Sequence, residues 1–443
     1  MLDKIVVTGM GIINSAGNDI SSFWNACLQS QSNVSKVPER WNDYAKYNSG
    51  IWSPLPTIDY KGYGFGRIEI MQRDPVSLLA MIATQQALQQ AGVETVIANE
   101  KKNQFSLDLA AHTRTGIFIG SGIGGAHSFL ENQAFQMLSN TKKALMEDNV
   151  QPEVTKKLIH PPRVNPFSVS MLMPNSVSAA VGIKYSIRGI NQTICQACSS
   201  GTTAIGQAYQ AIKNGTLDFA ICGGAEYLYD DYGGIYRGFD IARTLAQPSS
   251  DINIANRPFD RDRTGFLLSQ GGSGILILEK ESAAIKRGAE ILAQITGYAE
   301  TFDAYSMMSL EPSGGQIKSM IHHAMTDAQL VPTNIDYINT HGTGTKLNDQ
   351  IESMIIEELF GQKPIINASK SITGHAIGAS GAMEAVISVL SLQNQTTHPC
   401  NNLVNPIRDL NFVTEVKDQQ ITNVLSQSFA FGGHNSALIL SAY

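Results

Sequence analysis

This chain has few of the features that would make it a secreted, membrane-spanning or nucleic-acid-coating protein. Its 443 residues hold five cysteines, Cys27, Cys195, Cys198, Cys222 and Cys400. That odd, sparse set excludes a disulfide framework and predicts a reducing compartment. No apolar stretch reaches the roughly 20 residues that a membrane-spanning helix needs. The opening residues Asp3 and Lys4, followed by IVVTGMGII, lack the basic start and cleavage site of a secretion signal, which predicts a cytoplasmic protein. Charged residues make up only 16% and the net charge is -6, which argues against nucleic-acid or membrane-surface binding. Cys195 and Cys198 form a C-x-x-C pair, but no second pair or zinc-spaced cysteine–histidine cluster accompanies it. No metal is therefore expected.

What is present is a large apolar fraction, 43%, enough for an extensive core and two to three domains. Short β-branched runs at Ile5–Thr8, Gly116–Ile119, Phe219–Cys222, Ile275–Leu278 and Ala437–Leu440 tend to stop at small residues. They alternate with helical segments. Asp74 and Pro75 open one that ends before Gly92, and others span about Ser199–Asn214, Asp349–Phe360 and Gly378–Leu392. The interleaving predicts an α/β protein with parallel strands. Ser30–Pro56 and Ser139–Pro166 are polar and proline-bearing, and read as surface excursions. A change of texture at QPSSDINIANRPFDRD predicts two halves, 1–250 and 251–443.

Cys198 stands in NQTICQACSSGTTAIGQAYQAIKNG, where a helix begins. The positive end of a helix and its free N–H groups lower a thiol's pKa and favour nucleophilicity. Read locally, Cys198 fits a small buried residue at a helix contact equally well. His341 opens HGTGT and His375 lies in SITGHAIGASG, each among residues small enough to let a substrate approach the backbone. A malonate condensation needs a thiol to carry the acyl chain. It also needs two donors at the malonyl thioester oxygen, each worth about 3–4 kcal/mol as enolate charge develops. Two neutral imidazoles meet that need, with a nearby lysine to orient one. Near the C-terminus, Phe431 followed by Gly432 and Gly433 reads as a gate loop with an apolar blade.

With these motifs in order, the chain resembles the β-ketoacyl-acyl carrier protein synthases of the synthase II type, in the thiolase superfamily. The likeness runs through VVTGMG, QACSSG, GGAE at 223–226, RPFDRDRTGF at 257–266, NTHGTGT at 339–345, SKSITGHAIGASGAMEA at 369–385 and SFAFGGHNS at 428–436. It implies a five-layered α-β-α-β-α fold of two similar halves, the first carrying Cys198 and the second His341, Lys370, His375 and the gate. It further implies Cys198 as nucleophile, His341 and His375 as the pair that binds the malonyl thioester, Lys370 as their support and Glu384 as a buried acid of the same network. Thr343 and Thr345 match residues that bond the phosphopantetheine arm. Phe431, with Phe429 before it, matches the gate. The N–H groups of Cys198 and Phe431 match the acyl oxyanion hole. No dissociable cofactor is implied, because phosphopantetheine arrives on the acyl carrier protein. The implied partners are that carrier and a second subunit, identical or a chain-length-factor-like homologue.

Three departures stand near the gate and the nucleophile. Gln196 replaces the family's threonine, Ala430 the glycine between the gate phenylalanines, and Ser306 a histidine of the fatty-acid enzymes. With the unusual YLYDDYGGIYRGFD, they point to a type II polyketide or polyene pathway, with housekeeping fatty-acid elongation as the alternative. A non-catalytic chain-length factor typically lacks the cysteine kept here. A thiolase uses a second catalytic cysteine, and Cys400 is not in a matching motif. A synthase III-type initiator carries Cys-His-Asn. An acidic carrier needs a local basic surface, for which Arg67, Arg73 and Arg237 are candidates, though they read equally well as solvated charges.

Overall fold

The protein is described from a computed structural model covering residues 3–110, 113–147 and 164–443. Ten strands form its central sheet: β1 (Ile5–Ile13), β2 (Thr115–Gly120), β3 (Asn191–Ile194), β4 (Phe219–Tyr227), β5 (Gly271–Lys280), β6 (Ala293–Phe302), β7 (Tyr337–Asn339), β8 (Ile365–Asn367), β9 (Asn423–Phe429) and β10 (His434–Ser441). Their order is β8-β7-β9-β10-β6-β1-β5-β4-β2-β3. Strands six to ten thus repeat the arrangement of strands one to five, and the two sets meet where β1 pairs β6. The repeat turns over between β5 and β6. The boundary expected near residue 250 therefore falls inside the first repeat, because β5 pairs with β1 and β4. Strands β2, β3 and β4 are parallel, as are β7, β8 and β9. The central pairings are antiparallel, so the expected parallel strands lie only toward the edges.

Strict alternation builds the layers, since side chains two apart share a face. Ile275 and Ile277 of β5 face an outer cluster with α1 (Pro75–Gln90) and α2 (Ser176–Lys184). Leu276 and Leu278 face a central cluster with α3 (Ser200–Lys213) and α6 (Ser380–Asn394). On β10, Leu438 and Leu440 join the central cluster, while Ala437 and Ile439 face α4 (Gly315–Asp327) and α5 (Lys346–Phe360). The result is the five-layered α-β-α-β-α fold. Among the described residues, no helix is long and apolar enough to cross a membrane.

The helices agree with the sequence within a few residues, including the Asp74 cap on the Val76 N–H, 3.0 Å. The strands run longer than expected. β1 continues through Gly9 and Gly11, where a Cβ would fall 2.1 Å from the Ala87 carbonyl and 2.0 Å from that of Ala83. Glycine here admits α1 to the sheet instead of ending the strand.

Ser30–Pro56 also departs from expectation. Trp41, Trp52 and Ile51 are buried, and the Trp41 ring lies 5.2 Å from Trp52 and 5.6 Å from Tyr236. Trp41 and Trp52, with Tyr47 packed against them, join the cluster that holds Cys198. Of the second expected excursion, residues 148–163 lie outside the described residues.

At the centre, α3 and α6 meet through glycines at their first turns. A Cβ on Gly201 would stand 2.9 Å from the Gly378 carbonyl, and one on Gly381 2.0 Å from Thr202 Oγ1. The Thr202 hydroxyl is already bonded to Ser428 Oγ at 2.8 Å, so it cannot move aside without loss. Gly381→Ala is expected to lower unfolding free energy by about 1–3 kcal/mol through overpacking. Urea denaturation measures this, and an unchanged midpoint would contradict the close crossing.

Candidate active site

Each central helix is entered by a sharp elbow. Between β3 and α3, Ala197 takes φ +46°, and before α6 Ile377 takes φ +43°. Left-handed backbone at a side-chain-bearing residue costs about 1 kcal/mol or more and persists only where neighbours enforce it. Here serines do so. Ser200 Oγ accepts the Gln196 N–H at 2.8 Å and donates to the Ala197 carbonyl at 2.7 Å. Ser380 Oγ accepts the Ala376 N–H at 3.0 Å. Buried Glu226 ties the second elbow down, accepting N–H groups from Gly378 (3.0 Å) and Gly122 (2.6 Å).

The first elbow presents Cys198 and the second His375. His375 Nε2 lies 3.1 Å from Cys198 Sγ, and its Nδ1 lies 3.0 Å from Ser380 Oγ. His341 follows β7, its ring edge-on to His375 with centroids 5.6 Å apart. Glu352 on α5 holds the His341 and Gly342 N–H groups at 2.7 and 2.8 Å. Lys370 pairs with Glu384 and bonds the His341 carbonyl at 2.6 Å, with His341 Nδ1 at 3.3 Å. An ammonium only donates, so His341 Nδ1 accepts and its proton sits on Nε2.

Burial sets the charge state of this group. Desolvation drives both imidazoles well below their usual pKa, and the Lys370 charge adds to the effect, so both are neutral at physiological pH. The expected pair of neutral imidazoles is present. The thiol behaves otherwise than the helix position predicts. Burial pushes Cys198 up to about 12, against the downward pull of the Lys370 charge and of the Phe431 N–H at the sulfur. Burial also raises Glu384, while Lys370 holds it down.

The cleft over Cys198 encloses about 80 Å³, lined by Phe266, Phe429, Phe431, Met308, Thr343 and Thr345, with both histidines. Thr343 and Thr345 hydroxyls stand 2.9 Å apart on its wall. The ligand atoms of Cys198, His341 and His375 lie within 4.8 Å of one another, a set able to hold a transition metal. The Lys370 charge beside His341 opposes a cation there.

Gln196 Oε1 accepts the Thr203 hydroxyl (2.7 Å), anchoring the elbow to α3. Ser306 Oγ accepts the Met308 N–H (3.2 Å), within the loop whose Met307 carbonyl holds the Gly432 N–H of the expected gate loop (2.9 Å). Ala430, between Phe429 and Phe431, is buried. Cys400 is buried in the outer core of the second repeat, bonded to the Ile366 carbonyl. Arg67 and Arg237 are exposed, whereas Arg73 folds onto Glu69, which also binds buried Lys184 (3.1 Å). Sequence reasoning missed Glu226, Glu352 and Ser380. The first and last lie inside motifs already noted, and only the fold reveals their partners.

A protonated resting thiol has a kinetic signature. Alkylation of Cys198 by iodoacetamide, resolved from Cys195 by peptide mass spectrometry, is expected to accelerate steadily from pH 7 through pH 9. A plateau below pH 8 would show a thiolate at rest and contradict the burial argument.

Comparison with known proteins identifies the family. Residues 2–284 match the β-ketoacyl synthase N-terminal domain and residues 292–404 its C-terminal domain, dividing the chain where the strand repeat turns over. The 3-oxoacyl-[acyl-carrier-protein] synthase 2 of Coxiella burnetii is 32% identical, over 99% of this chain and 98% of its own. A chain from the complex of a type II polyketide acyl carrier protein with its hexaketide-bound ketosynthase superposes with TM-score 0.82 at 26% identity, covering 100% of both chains. The ishigamide ketosynthase/chain length factor superposes with TM-score 0.83 at 25% identity, again over 100% of both. The chain belongs to the β-ketoacyl synthase family of acyltransferases.

Proposed function

We propose that this ketosynthase joins an acyl chain held on Cys198 to malonyl-acyl carrier protein by decarboxylative Claisen condensation. The observation that carries the reading is the convergence of one buried thiol and two buried, neutral imidazoles within 4.8 Å at the base of a cleft. In the first half-reaction the Cys198 sulfur attacks the acyl thioester, and the thiol proton leaves on the departing phosphopantetheine sulfur. The N–H groups of Cys198 and Phe431 stabilise the tetrahedral oxyanion. In the second, malonyl-carrier loses carbon dioxide, and the enolate oxygen is held by the N–H groups of His341 and His375. The enolate carbon attacks the Cys198 thioester and expels the thiolate, which takes up a proton. The β-ketoacyl chain leaves on the carrier.

Phosphopantetheine enters attached to the carrier, with Thr343 and Thr345 along its path, and the chemistry calls for no cofactor of the enzyme's own. Lys370 and Glu384 keep His341 oriented. Phe431, backed by Phe429, swings to admit the chain. Exposed Arg67 and Arg237 are the docking cations we favour. Arg73, engaged with Glu69, is a weaker one. Two solved relatives are a ketosynthase with its carrier and a ketosynthase with its chain length factor, which supports a carrier partner and a homodimer or such a heterodimer here. They and the departures at Gln196, Ser306 and Ala430 favour a type II polyketide or polyene pathway. The Coxiella relative's name favours fatty-acid elongation instead.

Incubation with acyl- and malonyl-carrier proteins, followed by intact mass spectrometry, should show an acyl mass on Cys198 and a β-ketoacyl product. His341→Ala should slow product formation about 100- to 1,000-fold, as loss of one oxyanion donor does. No adduct with any acyl chain, or an adduct that survives Cys198→Ala, refutes the reading and leaves a non-catalytic partner in its place.

A further inference from the structure

The serines of the two elbows stand in matching places but give their protons to different acceptors. Ser200 spends its hydroxyl on main chain alone, accepting from Gln196 and donating to the Ala197 carbonyl. Ser380, 1% exposed, accepts the same kind of N–H from Ala376 and lies 3.0 Å from His375 Nδ1. A hydroxyl has one proton to give. Among the described residues, His375 Nδ1 is the acceptor in reach of it.

We propose that Ser380 is a positioning residue: its hydroxyl donates to His375 Nδ1 and keeps the imidazole proton on Nε2, facing the substrate. The inference rests on the condensing reading above and names what makes its oxyanion site work. Two imidazoles stabilise an enolate oxygen only if both present Nε2–H. Lys370 fixes that tautomer at His341, where its ammonium stands 3.3 Å from Nδ1. Which nitrogen of a neutral imidazole carries the proton is set by the bond the other makes. At His375 that bond is to Ser380. Without it, the proton resides on Nδ1 for part of the time, and the bare Nε2 lone pair repels the enolate oxygen. The Cys198 half-reaction draws its donors from main-chain N–H groups and depends less on this tautomer.

The test separates the two half-reactions. Release of carbon dioxide from malonyl-carrier and acylation of Cys198 are measured for the wild type, Ser380→Ala, Ser380→Thr and Ser200→Ala. Ser380→Ala is expected to slow decarboxylation about 10- to 100-fold more than acylation, and Ser380→Thr, which keeps the hydroxyl, to recover most of the loss. Ser200→Ala, which loosens the cysteine elbow, should weigh on acylation instead. Should Ser380→Ala fail to fold, Ser380→Gly removes the same hydroxyl at a helix start that tolerates glycine. Equal slowing of both half-reactions, or none, overturns the proposal and leaves Ser380 a main-chain cap. A wild type inactive in both overturns the condensing reading itself, a result that no comparison among the Ser380 variants would produce.

Discussion

Exclusion of water from the meeting point of α3 and α6 is the constraint from which the site's chemistry follows. Burial makes charge costly there, so the two imidazoles stay neutral and the thiol keeps its proton. The same burial makes each N–H aimed at a developing oxyanion worth more than it would be in water. Lys370 is tolerated because its three ammonium protons go to Glu384, the His341 carbonyl and His341 Nδ1. In the proposed reaction Cys198 is therefore activated as the thioester arrives rather than held as a thiolate.

The internal repeat explains how two distant segments reach one point. Each half delivers a helix to the centre through a left-handed elbow capped by a serine, and glycines at both first turns let the helices touch. The halves differ in what the elbow carries. The first presents a thiol and the second an imidazole, and the capping serines have followed. Ser200 remains a main-chain cap, whereas Ser380 lies against the ring that must hold its proton on the correct side.

Much of this was legible from residues alone. Cys198, His341, Lys370 and His375 sit in motifs whose small neighbours mark close substrate approach, and the structure brings them together. The longer helices declared themselves through caps such as Asp74. Strand lengths did not, because Gly9 and Gly11 resemble terminators until one sees α1 pressed against them. The aromatics of Ser30–Pro56 were hidden in a polar context, and their burial depends on Tyr236, nearly 200 positions away. The thiol's pKa was misjudged because a helix end is visible in sequence and depth of burial is not. Glu226 shows the same limit, since its partner Gly378 lies 152 positions along the chain.

The central claim is that two neutral imidazoles share one oxyanion. It is tested most directly by a crystal structure with a non-hydrolysable malonyl-pantetheine analogue bound. The account predicts the thioester oxygen within hydrogen-bonding distance of both His341 Nε2 and His375 Nε2, with the pantetheine passing Thr343 and Thr345. An oxygen bound to neither ring, or a malonyl group seated away from Cys198, would contradict it.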